Sequence, residues 1–455
     1  MADYRHIYFI GIGGIGMSAI ARYYNAKGYK VSGYDKTPSP LTLALESEGI
    51  EVHYVDDINF IPKDVESTLV VYTPAIPKDM GELVYVQEKG YRVIKRSRML
   101  GEIAQGQRCL TVAGTHGKTT TSTLLSHIFT ATGEGCSAFL GGISKNYGSN
   151  LLTHQNDVVV AEADEFDRSF LQLFPEISVI TSMDADHLDI YGDEAHIKEA
   201  FKAFASQVSG TVIIRKGLDI TAADTKADIK TYAYNDPEAD FYAVITEGDG
   251  NGKSHFDIHW PGGVIRDCVL GIPGWVNIEN AVGATAIGLT YGLDPEKIKA
   301  ALASFVGVSR RFDIRLDTED CVYIDDYAHH PQEIAASLTS IRGNFPGYRL
   351  TAIFQPHLFT RTRDFADGFA ESLSSADRLI LLDIYPAREE PIPGVTSEII
   401  FNNITAPEKV LLKKEELMDY LKGLEPCGKE VFMTIGAGDI DRFVEPITEM
   451  LKERR

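Results

Sequence analysis

The sequence predicts an α/β protein of three domains, each built on a mainly parallel sheet, and three observations carry that expectation. At 455 residues the chain exceeds what one hydrophobic core serves, so length alone asks for two or three domains. Short β-rich runs alternate with helical runs, the pattern of βαβ winds. The alternation restarts at three places, each a strand that empties into a glycine loop or polar motif, which puts seams near residues 107 and 311. The expected domains are therefore 1–107, 108–311 and 312–455.

In the first wind "HIYFIG", "KVSGYD" and "STLVVYTPA" read as strands, each ending in Gly, Asp or a Thr-Pro turn. Between them "GMSAIARYYNAKG" and "LTLALESEG" read as helices stopped by glycine. The first strand runs into Gly11-Ile12-Gly13-Gly14-Ile15-Gly16, a dinucleotide-binding fingerprint on a Rossmann-like wind, and Asp35 ends the second strand 19 residues after Gly16. By itself this stretch points to a nicotinamide-dependent oxidoreductase. The glycines are less particular than that, because they permit close backbone approach to any pyrophosphate.

The second wind opens on "CLTVAGTHGKTTTSTLLSHIF", again strand, glycine loop, helix. In "AGTHGKTTT" a loop of Gly114, Thr115, His116 and Gly117 leads into Lys118, Thr119 and Thr120 at a helix start. Such a loop offers backbone N–H groups to phosphate oxygens, a lysine to the β/γ-phosphates and a hydroxyl to Mg²⁺. The match to G-x-x-x-x-G-K-[ST] is incomplete, since Val112 stands at its first glycine, but the strand-to-helix context supports ATP binding. "VVVAEADEFDRSF" places Glu162, Asp164, Glu165 and Asp167 at a strand end, with Glu162 a candidate Mg²⁺ ligand and Glu165 and Asp167 read as a solvated acidic turn. "TSMDADHLD" sets His187 among Asp184, Asp186 and Asp189, as a second metal ligand, a proton handler or a structural histidine.

The third wind is carried by "CVYIDDYAHHP", "YRLTAIFQPH", "DRLILLDIYPA" and "EVFMTIGAGD". Its strand ends gather Asp325, Asp326, Tyr327, His329, His330, His357, Arg361 and Arg363, where ligands of open α/β sheets sit. At the second seam "GVSRRFD" carries Arg310 and Arg311, a phosphate clamp or, for one of them, an ordinary salt bridge. "IPGWVNIENA" puts Asn277 and Asn280 on one helical face.

Composition narrows the partners. A formal charge of −21 repels phosphate backbones and anionic lipids, so neither nucleic acid nor membrane is expected as a partner. No apolar run approaches the roughly 20 residues that span a bilayer. Asp3 and the glycines from Gly11 to Gly16 are unlike a secretory leader, and the five scattered cysteines form no CxxC pair, so a cytoplasmic chain with reduced thiols is expected.

The stretches "GIGGIGMSAIA", "AGTHGKTTT", "EADEFDRSFL", "DADHLDIYG", "RRFD", "DDYAHHP", "FQPH", "PIPGVTSE" and "GAGDI", in this order and spacing, resemble the Mur ligases, ATP-dependent amide-forming enzymes of peptidoglycan precursor synthesis. The resemblance implies a UDP-substrate domain, a central ATPase and a Rossmann-like closing domain. It implies ATP contacts at Gly114 to Thr120, Asn277, Asn280, Arg311 and Asp326, and Mg²⁺ at Thr119, Glu162 and His187. The UDP diphosphate would lie on Gly13, Gly14, Ile15, Gly16, Met17 and Ser18, with Asp35, Thr73 and Ala75 bordering uridine and sugar. Lys118, Glu162 and His187 would serve catalysis, and His357 and Arg361 would position the acceptor amino acid or the muramoyl carboxylate.

The implied reaction joins L-alanine to the carboxylate of UDP-N-acetylmuramate through an acyl phosphate, giving UDP-N-acetylmuramoyl-L-alanine, ADP and phosphate, in a monomer or weak homodimer. Addition of a preformed tripeptide to the same substrate is the alternative within the family. An oxidoreductase and a nucleotide-gated regulatory protein are the alternatives outside it. Val276, Leu358, Ser182 and Ser309 depart from the family pattern; none lies in the phosphate loop or among the implied metal ligands.

Overall fold

The computed structural model describes residues 4–184, 191–248, 254–387, 389–425 and 428–454. The chain packs as two compact units, one of Met1–Ile245, Phe256–Leu270 and Glu279–Val306, the other of Thr246–His255, Gly271–Ile278 and Gly307–Arg455. Each of the three expected ranges contains one sheet, but the first two sheets belong to a single unit.

The first sheet comprises β1 (His6–Ile10), β2 (Lys30–Tyr34), β3 (Glu51–His53), β4 (Thr68–Tyr72) and β5 (Arg92–Lys95) in the order β3-β2-β1-β4-β5. All of its pairs are parallel. Strand order reverses between β1 and β4, so the carboxyl end of β1, where the Gly11–Gly16 loop begins, opens on the crevice such sheets use for ligands. Ile7 to Ile10 and Leu69 to Val71 are fully buried, as continuous apolar strands covered on both faces should be.

The second sheet comprises β6 (Arg108–Ala113), β7 (Ser137–Ser144), β8 (Ser149–Leu152), β9 (Val158–Ala163), β10 (Ile177–Ile180), β11 (Thr211–Arg215), β12 (Asp228–Tyr234), β13 (Phe241–Gly248), β14 (Ser254–Trp260) and β15 (Gly263–Val269). Its order is β15-β14-β13-β12-β11-β10-β6-β9-β7-β8, and β6 pairs in parallel with both β9 and β10. The phosphate loop, the acidic motif and the Thr181–Asp184 segment therefore leave the same edge of three adjacent strands. The helix Ile15–Ala26 lies on β7 and β8, where Tyr23 meets Phe139 edge to face at 5.3 Å. One apolar cluster runs from Ile7 and Phe9 to Val159, Ala161 and Phe201, which is why the seam near residue 107 falls inside one unit.

The third sheet comprises β16 (Asp313–Asp317), β17 (Cys321–Asp326), β18 (Arg349–Phe354), β19 (Arg378–Leu382), β20 (Glu408–Leu412) and β21 (Glu430–Ile435), in the order β16-β17-β21-β18-β19-β20. Only β16 joins antiparallel. Alternate residues feed two cores: Val322, Ile324, Ala352 and Phe354 on one face, Tyr323, Ile353 and Ile380 on the other. Cys109, Cys136 and Cys268 are buried free thiols and Cys321 is half-buried; Cys427 lies outside the described residues. Among the described residues no helix is long and apolar enough to cross a membrane.

A polar cluster is buried under the carboxyl edge of the first sheet. Tyr8 Oη donates to Glu82 Oε2 at 2.5 Å and lies 2.7 Å from His53 Nε2, while the Asp57 N–H donates to Glu82 Oε1 at 3.1 Å. Glu82 is fully buried. Burial pushes its carboxyl up to about 7, Asp56 and Asp57 add to the rise, and the bonds from Tyr8 and Asp57 only partly offset it. The Tyr34 hydroxyl, pushed up by burial, and the His53 imidazole, pushed down by burial, also face it. A carboxyl whose pKa is higher folded than unfolded binds more protons in the folded state. Its contribution is complete below the unfolded value of about 4.5 and is lost as pH rises through about 7. Glu82→Gln should remove that loss. Denaturant unfolding at pH 8 should show the variant more stable than the parent by on the order of 1–3 kcal/mol, with the gap closing at pH 5.

Candidate active site

The phosphate loop follows from two glycines that no other residue replaces without strain. Gly114 has φ +136°, and a methyl group there would meet Thr181 Oγ1 at 2.0 Å; Gly117 has φ +80° and starts the helix Lys118–Ala131. The loop is braced by the strand beside it. Thr115 Oγ1 and Ser182 Oγ lie 2.9 Å apart, the His116 N–H donates to Ser182 Oγ at 2.8 Å, and the Thr181 hydroxyl donates to the His116 carbonyl. Ser182 thus serves as the brace of the loop. Gly117, at the N-cap, offers no side chain to the first N–H groups of the helix, and a helix start of this kind suits an anion. Thr119 and Thr120 are buried at its start. Asn280 reaches the loop from the helix Trp275–Tyr291, its Oδ1 2.8 Å from the methyl position of Gly117.

Lys118 lies folded over the loop. Its Nζ donates to the Gly114 carbonyl at 2.6 Å, to the Thr115 carbonyl at 3.3 Å and to Glu165 Oε1 at 2.9 Å. Glu165 is completely buried, which corrects its reading as part of a solvated turn. A carboxylate facing a buried ammonium cannot remain at the surface, because the ammonium needs its charge compensated where it sits. Burial works against the charge on Lys118, yet Glu165, Asp164 and Glu162 outweigh it and hold the ammonium protonated. Burial pushes the Glu165 carboxyl up against the pull of Lys118.

The acidic segment also faces the first sheet. Asp164 Oδ2 accepts from Arg96 Nη2 at 3.1 Å and Asp167 Oδ2 from Lys95 Nζ at 2.6 Å. Asp167 and Arg168 both sit at φ +53°, a conformation held by bonds from the Arg168 N–H to the Glu165 carbonyl and from the Phe170 N–H to the Asp164 carbonyl. Glu162 Oε2 accepts the Gly141 N–H at 3.2 Å, and Glu162, Asp164, Arg96, Ser97 and Ser169 line one cleft. Thr119 and Glu162 supply hard oxygen donors of the kind Mg²⁺ takes alongside phosphate and water. His187 lies outside the described residues. Among the described residues no three His, Cys, Asp or Glu side chains form a metal cage. A site that shares its metal with substrate phosphates does not need one.

In the first loop Asp35 Oδ2 accepts the Gly13 N–H at 2.7 Å, so Asp35 fixes the loop directly. Ser18 and Met17 are buried, and Asn150 Nδ2 donates to the Ile15 carbonyl at 2.6 Å and to Ser18 Oγ at 2.9 Å. Ile15 is partly exposed, Thr73 closes on Gly11, and Ala75 is exposed on the turn after β4.

The second unit assembles its own cluster. Arg310 carries the salt bridge, to Asp325 at 3.2 Å, and also donates to the Gly436 carbonyl at 2.7 Å. Both arginines lie over the Tyr327 ring, Arg310 at 5.2 Å and Arg311 at 4.9 Å. Asp326 accepts the Ser337 hydroxyl at 2.5 Å, and burial pushes its carboxyl up to about 6 against the pull of Ser337 and Arg311. His357 stacks on Tyr385 at 5.8 Å between His329 and Arg361 Nη1, the latter 3.5 Å from its Nδ1. Leu358 holds φ +70° at the start of the helix Phe359–Asp364. His330 caps the helix Pro331–Asn344, while Asn277 Nδ2 donates to the Pro273 carbonyl at 2.6 Å. Arg363 pairs with Asp364 at the surface. Sequence reasoning missed Arg96, Asn150, Ser182 and the role of Glu165; none stands in a spacing that announces it.

Three family models match consecutive parts of the chain: "Mur ligase family, catalytic domain" over 6–108, "Mur ligase middle domain" over 112–288 and "Mur ligase, glutamate ligase domain" over 310–438. The UDP-N-acetylmuramate–L-alanine ligase of Parabacteroides distasonis is 53% identical, covering 98% of this chain and 97% of its own. That of Porphyromonas gingivalis W83 is 50% identical, covering 98% and 99%. Among solved structures, the UDP-N-acetylmuramate–alanine ligase MurC of Thermotoga maritima superposes with a TM-score of 0.84 at 25% identity, covering 99% of this chain and 100% of that one. A murein peptide ligase of Psychrobacter arcticus gives a TM-score of 0.71 at 23% identity, covering 98% of each chain. With its fold, its phosphate loop and its relatives in agreement from end to end, the chain belongs to the Mur ligase family.

Proposed function

We propose that this protein joins L-alanine to the carboxylate of UDP-N-acetylmuramate at the expense of ATP, forming UDP-N-acetylmuramoyl-L-alanine, ADP and phosphate. The observation that carries the reading is a phosphate loop whose lysine and strand-end carboxylates converge at one edge of the central sheet, in a chain half identical to alanine-adding ligases over its full length. The opening glycine loop then holds a UDP diphosphate in place of a nicotinamide dinucleotide.

A carboxylate does not condense with an amine while its oxygen must leave as O⁻. Transfer of the γ-phosphoryl group to the muramoyl carboxylate, with ADP leaving, converts it into an acyl phosphate, a mixed anhydride whose phosphate is a good leaving group. The neutral amine of alanine then attacks the carbonyl carbon, phosphate departs and the amine proton is lost. In this scheme the Gly114–Gly117 backbone and the first N–H groups of the following helix hold the phosphates. The Lys118 ammonium turns from its carbonyl partners to the β/γ oxygens and neutralises charge during in-line transfer. Thr119, Glu162 and His187 would hold Mg²⁺, which supplies Lewis-acid neutralisation of the phosphoryl oxygens. Asn277, Asn280, Arg311 and Asp326 are assigned to the nucleotide, and His357 and Arg361 to the acceptor amino acid or the muramoyl carboxylate.

Phosphate release from ATP with UDP-N-acetylmuramate and single amino acids tests the assignment. Release that requires both that substrate and L-alanine is expected; release that ignores UDP-N-acetylmuramate or demands a tripeptide overturns it. Lys118→Ala should lower turnover by at least roughly 100-fold with the thermal transition retained, because a buried Glu165 left alone takes up a proton. Glu165→Ala should do the opposite to the fold. It strands a buried ammonium, so it should cost about 3–5 kcal/mol of stability by denaturant unfolding.

A further inference from the structure

The opening loop is poorly supplied with positive charge. The Gly13 N–H is spent on Asp35, a carboxylate, in a chain of net charge −21. Yet the reading above asks this loop to hold a diphosphate. Among the described residues nearest its glycines, Asp35 meets Gly13 and the cation Arg96 meets Gly16.

Arg96 comes from the start of the helix Arg96–Ala104, directly after β5, and its side chain is less than one-fifth exposed. A methyl group on Gly16 would meet Arg96 Nη1 at 2.7 Å, so glycine is what lets the guanidinium reach the backbone that starts the first helix. Its Nη2 is held by Asp164 at 3.1 Å, and both side chains line the cleft shared with Glu162. Asp164 is pinned in turn by the strained segment through Asp167 and Arg168. A single carboxylate oxygen leaves most of the guanidinium's five donors for another anion.

We propose that Arg96 is a binding residue for the diphosphate of UDP-N-acetylmuramate, and that Asp164 holds its guanidinium in place until the diphosphate displaces it. The proposal rests on the assignment of Gly13 to Ser18 to the diphosphate. It makes an unusual demand: removing the Asp164 charge, which competes for the guanidinium, strengthens binding of the nucleotide substrate.

The test is calorimetric titration of the full chain with UDP-N-acetylmuramate and, separately, with UDP. Arg96→Ala should weaken both ligands by roughly 10- to 100-fold, the worth of a charge-assisted bond. Asp164→Asn should tighten both several-fold, and the double variant should bind like Arg96→Ala alone. A gain in Asp164→Asn that persists without Arg96, or no gain at all, overturns the proposal. A loss in Arg96→Ala seen with UDP-N-acetylmuramate but not with UDP overturns it in favour of the muramoyl carboxylate. Gly13→Ala separates the two levels. If it loses binding while Arg96→Ala does not, the arginine's role fails alone; if neither loses binding, the assignment of the loop fails too.

Discussion

A charged amine buried in protein must be surrounded by acceptors, and around Lys118 that one requirement organises the central sheet. The ammonium takes two carbonyls of its own loop and one carboxylate from the adjacent strand. The first pair forces the loop to curl back over the helix start, which needs Gly114 and Gly117 at positive φ. The third fixes the path of the chain after β9, because Glu165 must arrive beneath the loop with its side chain fully enclosed. The segment that follows absorbs the consequence as two consecutive left-handed residues, Asp167 and Arg168. Strain there is offset by the ion pairs and backbone bonds that the same turn makes.

The same device answers how so acidic a chain handles polyanionic substrates. Free cations on the surface would be screened and mobile. Here Lys118, Arg96 and Lys95 are each held by a carboxylate of one short stretch, Glu165, Asp164 and Asp167 respectively. The carboxylates keep these three cations in place and compensate their charge. A phosphate group outbids a single carboxylate because it brings more charge and more oxygens to the same donors.

What was legible in the sequence follows from the range of the interactions involved. β1, β2 and β4 of the first sheet, the loop at Gly114–Thr119 and the strand ends at Glu162, Asp326 and His357 were readable, because glycine spacing and apolar runs are local signals, whereas the short β3 and β5 were not read. The hairpin of β7 and β8 and the outer strands β12 to β15 were not, since their burial follows no clean alternation that the sequence pattern could carry. Glu165 could not be told from Asp167 by spacing, because only the folded loop decides which of them meets Lys118. Arg96 was invisible for the same reason: it is one of several basic residues before the second wind, and its meaning comes from Gly16, far away in the chain and in contact in space. Of the paired arginines, Arg310 bridges Asp325, and both lie over the Tyr327 ring.

Whether a buried carboxyl has a cation in contact decides what it can do in each unit. Asp325 and Asp326 are neighbours on β17, so their side chains leave opposite faces of the strand. Burial raises both. Asp325 has the Arg310 guanidinium and the Thr434 hydroxyl bonded to it, which commits it to packing within the second unit. Among the described residues the Asp326 carboxyl accepts from the Ser337 hydroxyl and the Ala328 N–H, with Arg311 acting from further off, and stays near 6. A carboxyl poised there gains from any hydroxyl donor that comes within reach, which suits it to the sugar hydroxyls of a nucleotide far better than its neutralised neighbour. Glu82 in the first sheet shows the limiting case: with no cation bonded and no solvent, it keeps its proton to about 7 and serves the fold alone.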